Sequence, residues 1–301
     1  MSARPFRFGV ALRHTGSGRE WAAKAKLVEE LGYDVLLVGD NPMTQAPLPA
    51  LAAAAAVTSR VRLSTYVLNP AVRQPPLLIQ ELATVDQLSE GRLEIALGLG
   101  NRRADVPQPA VTGSRPEALE RLISDLKAAF GAGESGGERF AQERPAIVVA
   151  GVGPRLVEIA AAEADTFLVS GQSPHPPQVT GPTLFDRETA EHSYGRVREV
   201  AGDRIELAAG IQVLAITNDR RAAAEEVHRS QPHLSVDQIL ESPKAAFGTV
   251  EEIARQLRER YEQLGISYLI LAEPSMHDFL PVRELLGARL RRSPDRPCAP
   301  K

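Results

Sequence analysis

The segment of residues 151–154 combines two features that suit an anionic ligand. It reads Gly-Val-Gly-Pro and stands directly before a helical pattern that runs to Ala164. The first turn of a helix carries N–H groups that no helical carbonyl accepts, and the helix dipole adds partial positive charge at the same end. Such a turn can bind a phosphate or a carboxylate. Glycine before a helix is also common as a plain connection, so both interpretations stay open.

A second glycine segment, residues 98–100 (Gly-Leu-Gly), follows a short apolar run. The missing side chains let another molecule approach the backbone closely. The segment is not a dinucleotide-binding fingerprint, because the third glycine and the helix that would follow it are absent. We therefore expect a ligand contact here without a Rossmann-type role.

Few residues near the ends of the apolar runs could carry a proton or orient a reacting group. Asp40 follows the second run and could orient a ligand, or it could cap neighbouring backbone N–H groups. His14 follows the first run and could exchange a proton, or it could be an exposed loop residue without a role. Asn41 stands beside Asp40 and Asn101 follows the glycine segment, and amides do not exchange protons near neutral pH.

Several other classes of site have no support in the sequence. Histidines and carboxylates do not recur at metal-ligand spacing, no serine stands in a nucleophile elbow, and the single cysteine, Cys298, lies near the polar C-terminus. A formal net charge of −3 speaks against a nucleic-acid or anionic-membrane partner. We expect a cytoplasmic protein, because no apolar run has membrane-spanning length and the N-terminus lacks a signal-peptide layout.

Short apolar runs alternate with helical patterns along the chain, which favours a parallel α/β architecture. Eight strand candidates predict a (β/α)8 barrel over residues 1–290, with a doubly wound open sheet as the alternative. The predicted strands are residues 6–12, 34–38, 61–68, 93–97, 146–150, 166–169, 209–216 and 268–271. The predicted helices are residues 19–31, 48–58, 80–88, 116–130, 154–164, 186–200, 219–230, 236–241 (helical or irregular), 250–264 and 278–291.

Two segments are predicted to lack regular structure. Residues 172–184 are rich in proline and non-periodic, and we expect them to form a loop over the barrel mouth, with disorder as the alternative. Residues 291–301 are expected to form a disordered tail.

The sequence of residues 80–100, QELATVDQLSEGRLEIALGLG, resembles the signature of the bacterial-luciferase-like superfamily. In that signature a helix ending in LDxLSxGR precedes a strand that leads to GxG. VRLSTYVLNP is similar to the family's third strand and its exit, and PAIVVAGVGP to its fifth-strand turn. The GxGP turn and the overall layout most resemble the F420-dependent oxidoreductase branch, and the resemblance covers most of residues 6–287.

This resemblance implies a TIM barrel of the luciferase-like type that holds coenzyme F420, or alternatively FMN, at the C-terminal ends of its strands. The cofactor would carry the hydride chemistry while protein groups place it. The resemblance implies these positions around the phosphate end of the cofactor: Gly151, Val152, Gly153, Pro154, Ser170 and Gly171.

The resemblance also implies a bulge with a cis peptide bond at the end of the third strand, behind the cofactor ring. The matching bond is Tyr66–Val67, and Asn69 follows it. With Gly100 and Asn101 across the mouth, these residues are expected to contact the cofactor. Tyr66 on its own is typical of a strand residue that packs in the core.

The sequence departs from this family at two positions. Relatives often carry Asp-His at the second-strand exit and an acid or an aromatic residue after the GxG, where this chain has Asn41 and Asn101. A proton needed by the reaction would then come from water, from His14 or from Tyr66. The same departure favours a specialised pathway over housekeeping metabolism.

The leading expectation is an F420H2-dependent reductase, or the reverse dehydrogenase. It would act on an activated C=C, C=N or C=O bond of a small molecule or a modified peptide, such as a dehydroamino acid in natural-product biosynthesis. The alternatives are an FMN-dependent monooxygenase and a catalytically reduced barrel that binds a flavin without turnover. Relatives are often homodimers through barrel helices, and the alanine-rich helix 48–58 could serve this purpose or pack against the barrel.

Overall fold

The computed structural model of the chain describes residues 4–13, 16–40, 46–100, 114–130, 139–170, 184 and 186–290. For residues 288–290 it describes the backbone alone. Ten strands lie in these ranges, and eight of them close into a parallel barrel. The strands are β1 (Arg7–Leu12), β2 (Val35–Val38), β3 (Arg62–Thr65), β4 (Leu93–Gly98), β5 (Ala146–Gly151), β6 (Thr166–Val169), β7 (Glu206–Ile211), β8 (Val213–Ile216), β9 (Ala245–Gly248) and β10 (Ile266–Ala272).

Helices alternate with these strands, as the sequence predicts. They are α1 (Gly18–Glu30), α2 (Pro47–Ala55), α3 (Pro75–Leu88), α4 (Arg115–Ala129), α5 (Pro154–Glu163), α6 (Arg187–Ala201), α7 (Arg220–Ser230), α8 (Val236–Glu241), α9 (Val250–Leu264) and α10 (Leu280–Leu290). The order around the barrel is β1-β10-β7-β6-β5-β4-β3-β2. The predicted (β/α)8 barrel is confirmed, and the open-sheet alternative is wrong.

Side-chain caps explain where several helices begin. Ser17 accepts a hydrogen bond from the N–H of Glu20, whose carboxylate in turn accepts from Ser17, and this capping box starts α1. Thr249 and Glu252 form the same arrangement at α9. Each of these caps joins residues three positions apart, so the start of the helix is determined by local contacts.

The predicted seventh strand, residues 209–216, is wrong as a single element. The backbone N–H groups of Gln212 and Val213 both donate to the carbonyl of Lys244, at 2.8 and 3.2 Å. This shared acceptor turns the chain out of the barrel after β7, and β8 then pairs in parallel with β9 in a separate two-stranded sheet.

Three sets of apolar side chains form the core. The largest joins the helices to the outward-facing strand residues, and another joins the β8–β9 sheet to α7 and α8, with Leu184 fully buried in it. The set inside the barrel consists of Val35, Leu37, Ala96, Val148, Ala150, Leu168, Ala208, Tyr268 and Ile270. These residues fill the lumen, and barrels of this kind bind their ligands at its C-terminal end.

Charged side chains occupy the N-terminal end of the same lumen. Arg7 forms ion pairs of 2.6 Å with both Glu94 and Glu206, and Arg62 pairs with Glu94 at the same distance. The Arg7 guanidinium also lies 4.5 Å from the centre of the Tyr268 ring. This cluster closes the N-terminal end with paired charges, because an unpaired charge there would be costly.

No helix in the described ranges is long and apolar enough to cross a membrane.

Candidate functional site

Small residues line the C-terminal end of the lumen. Ala11 and Ala150 belong to the inward-facing set, while Gly98 and Gly210 present no side chain at all. Barrel interiors are normally filled by bulky branched side chains. The glycines here leave room for the side chains of Val67 and Tyr66, which enter from the β3 exit.

The Tyr66 side chain crosses this space from β3 to β7. A Cβ placed on Gly210 would lie only 2.5 Å from the Tyr66 hydroxyl and 3.3 Å from Nε2 of Gln212. In the closed order of strands, β3 and β7 stand four positions apart in either direction. The half-buried Tyr66 ring therefore spans the barrel and forms a floor beneath the mouth.

The peptide bond between Tyr66 and Val67 is cis, as the family resemblance predicts. The Val67 side chain packs toward β4, because a Cβ on Gly98 would lie 2.7 Å from Val67 Cγ2. Beyond this bond, Leu68 bridges to Leu97 of β4. The segment after β3 thus lies inside the rim of the barrel.

Asp40, at the β2 exit, is held by protein donors. Its two carboxylate oxygens pair with Nη1 and Nη2 of Arg73 at 2.5 and 2.8 Å, and the N–H of Asn69 donates to Asp40 at 3.0 Å. The Asp40 side chain is 10% exposed. This geometry gives Asp40 a role in joining the β2 exit to the segment after β3, and a catalytic role for it stays a prediction.

Asn69 also explains the glycine at the β4 exit. Its side-chain oxygen accepts a hydrogen bond from the N–H of Ala71, at 3.1 Å. Its amide nitrogen would lie 2.1 Å from a Cβ on Gly100, whose φ is +69°. Only glycine tolerates both this contact and this backbone conformation, and the β3 and β4 exits can therefore touch.

The turn of residues 151–154 leads from β5 into α5 and has the predicted geometry. Gly153 is the N-cap residue, and no N-cap side chain accepts a hydrogen bond from the first turn. A Cβ on Gly153 would meet no heavy atom of the described residues within 4 Å, whereas one on Gly151 would lie 2.2 Å from Leu156 Cδ1. The helix is thus packed closely against the strand end, while the space beside Gly153 is open to an anion.

Three more positions of this group are described: two lie inside the turn and one lies beside it. Val152 packs partly against the largest apolar set, and Pro154 is the first residue of α5, where its missing N–H costs nothing. The N–H of Ser170 lies 3.4 Å from the carbonyl of Gly151, which brings the β6 exit beside the turn. The structure therefore brings the predicted anion-binding residues together as far as Ser170.

Four predicted site residues lie outside the described residues: His14, Asn41, Asn101 and Gly171. The predicted mouth loop, residues 172–184, also lies there except for Leu184, and so does the tail 291–301. Their roles stay predictions.

The hydroxyl of Tyr66 keeps its proton over a wide pH range. Burial raises the pKa of Tyr66 to about 12, and hydrogen bonding with Gln212 offsets part of that rise. A neutral phenol can donate a hydrogen bond to a ligand, but it does not act as a base near neutral pH.

Arg73 and Gln212 are site residues that the sequence reasoning missed. Arg73 follows the mainly apolar segment 70–72 and reveals its role only through its pairing with Asp40. Gln212 is the one polar residue in the otherwise apolar run 207–216, and this interruption was the available signal. Within the described ranges, no group of His, Cys, Asp or Glu is arranged to hold a metal ion.

Comparisons with known proteins agree with the barrel fold. The F420-dependent glucose-6-phosphate dehydrogenase of Beutenbergia cavernae is 26% identical over 296 residues, which is 85% of this chain and 88% of that protein. The coenzyme F420-dependent tetrahydromethanopterin reductase of Methanopyrus kandleri superposes with a TM-score of 0.67 at 17% identity, over 94% of this chain and 98% of that chain.

A riboflavin lyase solved with modified FMN and riboflavin superposes with a TM-score of 0.69 at 17% identity, over 95% of this chain and 92% of that chain. At such identities the two structures show a shared fold. The model of the luciferase-like monooxygenase family matches residues 2–246. The chain therefore belongs to the luciferase-like monooxygenase family of barrel enzymes.

Proposed function

We propose that this enzyme is an F420-dependent oxidoreductase. It moves a hydride between C5 of the deazaflavin and an activated C=C, C=N or C=O bond of a small molecule or a modified peptide. The observation that carries the proposal is the pairing, on one rim, of an uncapped helix N-terminus at Gly153 with a flat aromatic floor at Tyr66.

The residues present fit such a cofactor in two respects. The open space beside Gly153 and the N-terminal end of α5 suit an anionic tail. The small residues of the upper lumen and the Tyr66 ring suit a flat ring system lying above them. When bound, the deazaflavin supplies the hydride chemistry.

The protein groups at the mouth then have distinct tasks. Tyr66 holds its proton at Oη and can donate a hydrogen bond to the ring or the substrate, because its pKa lies at about 12. The ion pair of Asp40 with Arg73 holds the strand exits in place. We propose that the proton for the substrate comes from water or from His14. The amides Asn41 and Asn101 then do not need to supply it.

Support for F420 over FMN comes from relatives that cover most of the chain, such as the F420-dependent dehydrogenase of Beutenbergia cavernae. FMN is the second candidate, since the family is named for monooxygenases and one structural neighbour was solved with modified FMN. A barrel that binds a flavin without turnover is a third.

Two measurements separate these candidates. Titration of the protein with F420 and with FMN, followed by fluorescence, is expected to show tight binding of F420 and weak binding of FMN. The reverse preference would overturn the proposal in favour of an FMN enzyme. Oxidation of F420H2 by activated enones, imines, carbonyls or dehydroamino acid peptides is expected for at least one class, and its absence for all would favour the binding-only barrel.

We also propose that the protein is a homodimer that pairs through α2 and α3. Leu77 and Leu88 lie on α3, and 54% and 57% of their surfaces are exposed. The small residues Ala53 on α2 and Ala56 directly after it are also exposed. A groove of about 550 Å³ between α1 and α2 is lined mainly by alanine. Small side chains of this kind allow a second helix to approach closely.

A further inference from the structure

Gln212 occupies a position that the backbone fixes from outside the barrel. It is the first residue after β7, and its N–H donates to the carbonyl of Lys244 at 2.8 Å. The same carbonyl accepts from Val213, so the chain leaves the barrel directly beyond Gln212. The backbone of Gln212 is therefore anchored at the rim, and this fixes the point from which its side chain begins.

Gln212 and Tyr66 meet above Gly210. Side chains alternate along a strand, so positions 210 and 212 share the face that looks into the lumen. A Cβ on Gly210 would lie 2.5 Å from the Tyr66 hydroxyl and 3.3 Å from Gln212 Nε2, which places both polar groups over the same glycine. Any larger residue at 210 would displace the Tyr66 hydroxyl.

The contact joins opposite sides of the barrel. Tyr66 begins beside the cis bond after β3, while Gln212 follows β7, four strands away in either direction. A long aromatic side chain that is anchored only at its Cα can rotate about its side-chain bonds, and a partner for its hydroxyl removes that freedom. Gln212 is the residue that can do this from the far wall.

We propose that Gln212 is a positioning residue of the cofactor site, which holds the Tyr66 ring across the barrel as the floor for the redox ring. This inference rests on the proposed function. It predicts that Gln212 contributes to cofactor affinity through Tyr66 and not independently of it.

A double-mutant cycle with F420 tests this dependence. Gln212→Leu and Tyr66→Phe are each expected to weaken F420 binding about tenfold. The double variant is expected to bind F420 about as tightly as either single variant. Gln80→Leu, at an exposed position of α3, serves as the matched control and should leave affinity unchanged. Multiplicative losses in the double variant would overturn the proposal.

A second readout does not require a cofactor. In protein labelled with 13Cζ tyrosine, the resonance missing from Tyr66→Phe identifies Tyr66 among the five tyrosines. Gln212→Leu is expected to shift this resonance more than the other four, because the hydroxyl loses its polar partner. An unchanged Tyr66 resonance would overturn the role of Gln212 alone, whereas a wild-type protein that binds neither F420 nor FMN would overturn the proposed function together with the floor.

Discussion

The residues of the barrel mouth show how absent side chains make a site. Gly98, Gly100 and Gly210 each stand where a Cβ would collide with Val67, Asn69 or Tyr66. These glycines are therefore explained by close approach within the protein. Ligand contact is a second use of the same open backbone.

Gly210→Ala is expected to displace the Tyr66 hydroxyl, because the new Cβ would lie 2.5 Å from it. The displaced atom ends a side chain, so we expect a small loss of stability but a loss of cofactor affinity of about tenfold. Gly195→Ala in α6 is the control, since its Cβ would meet nothing within 4 Å. It should raise stability by about 0.5–1 kcal/mol without changing affinity. Equal affinity in both variants would contradict the floor assignment.

Lys244 is a buried cation that lowers the stability of the fold. It is 5% exposed, and burial lowers its pKa from 10.5 to about 8. Below pH 8 both the folded and the unfolded protein hold this proton, so stability does not change with pH through this group. Between pH 8 and 10.5 the unfolded chain binds more protons, and stability rises with pH.

Lys244→Met is expected to raise the free energy of unfolding by up to about 3 kcal/mol at pH 7, with the gain shrinking as the pH approaches 10.5. Urea unfolding at neutral and alkaline pH measures this difference. The control Lys26→Met, at an exposed position, should change stability by less than about 0.5 kcal/mol. A gain for Lys244→Met that does not depend on pH would contradict the burial account.

At the scale of elements, the C-terminal ends of neighbouring strands are joined by side chains and not only by sheet hydrogen bonds. The β2 exit is linked through Asp40 to Arg73 and Asn69, and Asn69 reaches the β4 exit at Gly100. These links hold the cis bond between Tyr66 and Val67, and with it the Tyr66 ring, at the rim.

Arg73→Met leaves the Asp40 carboxylate buried without its counter-ion, and we expect a loss of about 3 kcal/mol in the free energy of unfolding. Adding Asp40→Asn removes the unpaired charge while an amide oxygen can still accept from the N–H of Asn69. The double variant is therefore expected to be more stable than Arg73→Met alone. Chemical denaturation of Arg73→Met, Asp40→Asn and the double variant tests this order, and additive losses would contradict it.

For the whole molecule, local sequence patterns were enough to predict the closed barrel. Short apolar runs marked seven of the eight barrel strands closely, and helical patterns marked the helices between them, although α3 begins at Pro75, five residues before the predicted start. The break at Gln212 was missed because a single polar residue does not end an apolar run. The strand Ala245–Gly248 was missed because alanine and glycine are depleted in strands.

The site was only partly predictable for a related reason. The turn at Gly153 depends on adjacent residues, so the sequence shows it directly. The pairing of Asp40 with Arg73 spans 33 residues, and the contact of Tyr66 with Gln212 exists only once the barrel has closed. The cis bond at Tyr66 was predicted from the family resemblance and not from any residue pattern.

A homodimer is expected at the scale of the assembly. Light scattering after size exclusion should give twice the mass of one chain. Ala53→Arg should shift the protein to a monomer without loss of fold, because Ala53 is exposed on α2. A monomeric wild-type protein at micromolar concentration would contradict the pairing through α2 and α3.

Gly153→Asp tests whether the barrel mouth binds F420 with the anionic tail of F420 at the start of α5. Gly153 has extended backbone angles (φ −72°, ψ 147°) and open space beside it, so aspartate can cap the helix and stabilise it by a few tenths of a kcal/mol. The same carboxylate would occupy the first-turn N–H groups and repel an anion. We expect F420 to bind the wild-type protein at least tenfold more tightly than Gly153→Asp, with the free energy of unfolding of the variant unchanged or slightly raised. Equal F420 dissociation constants for the two proteins would contradict it.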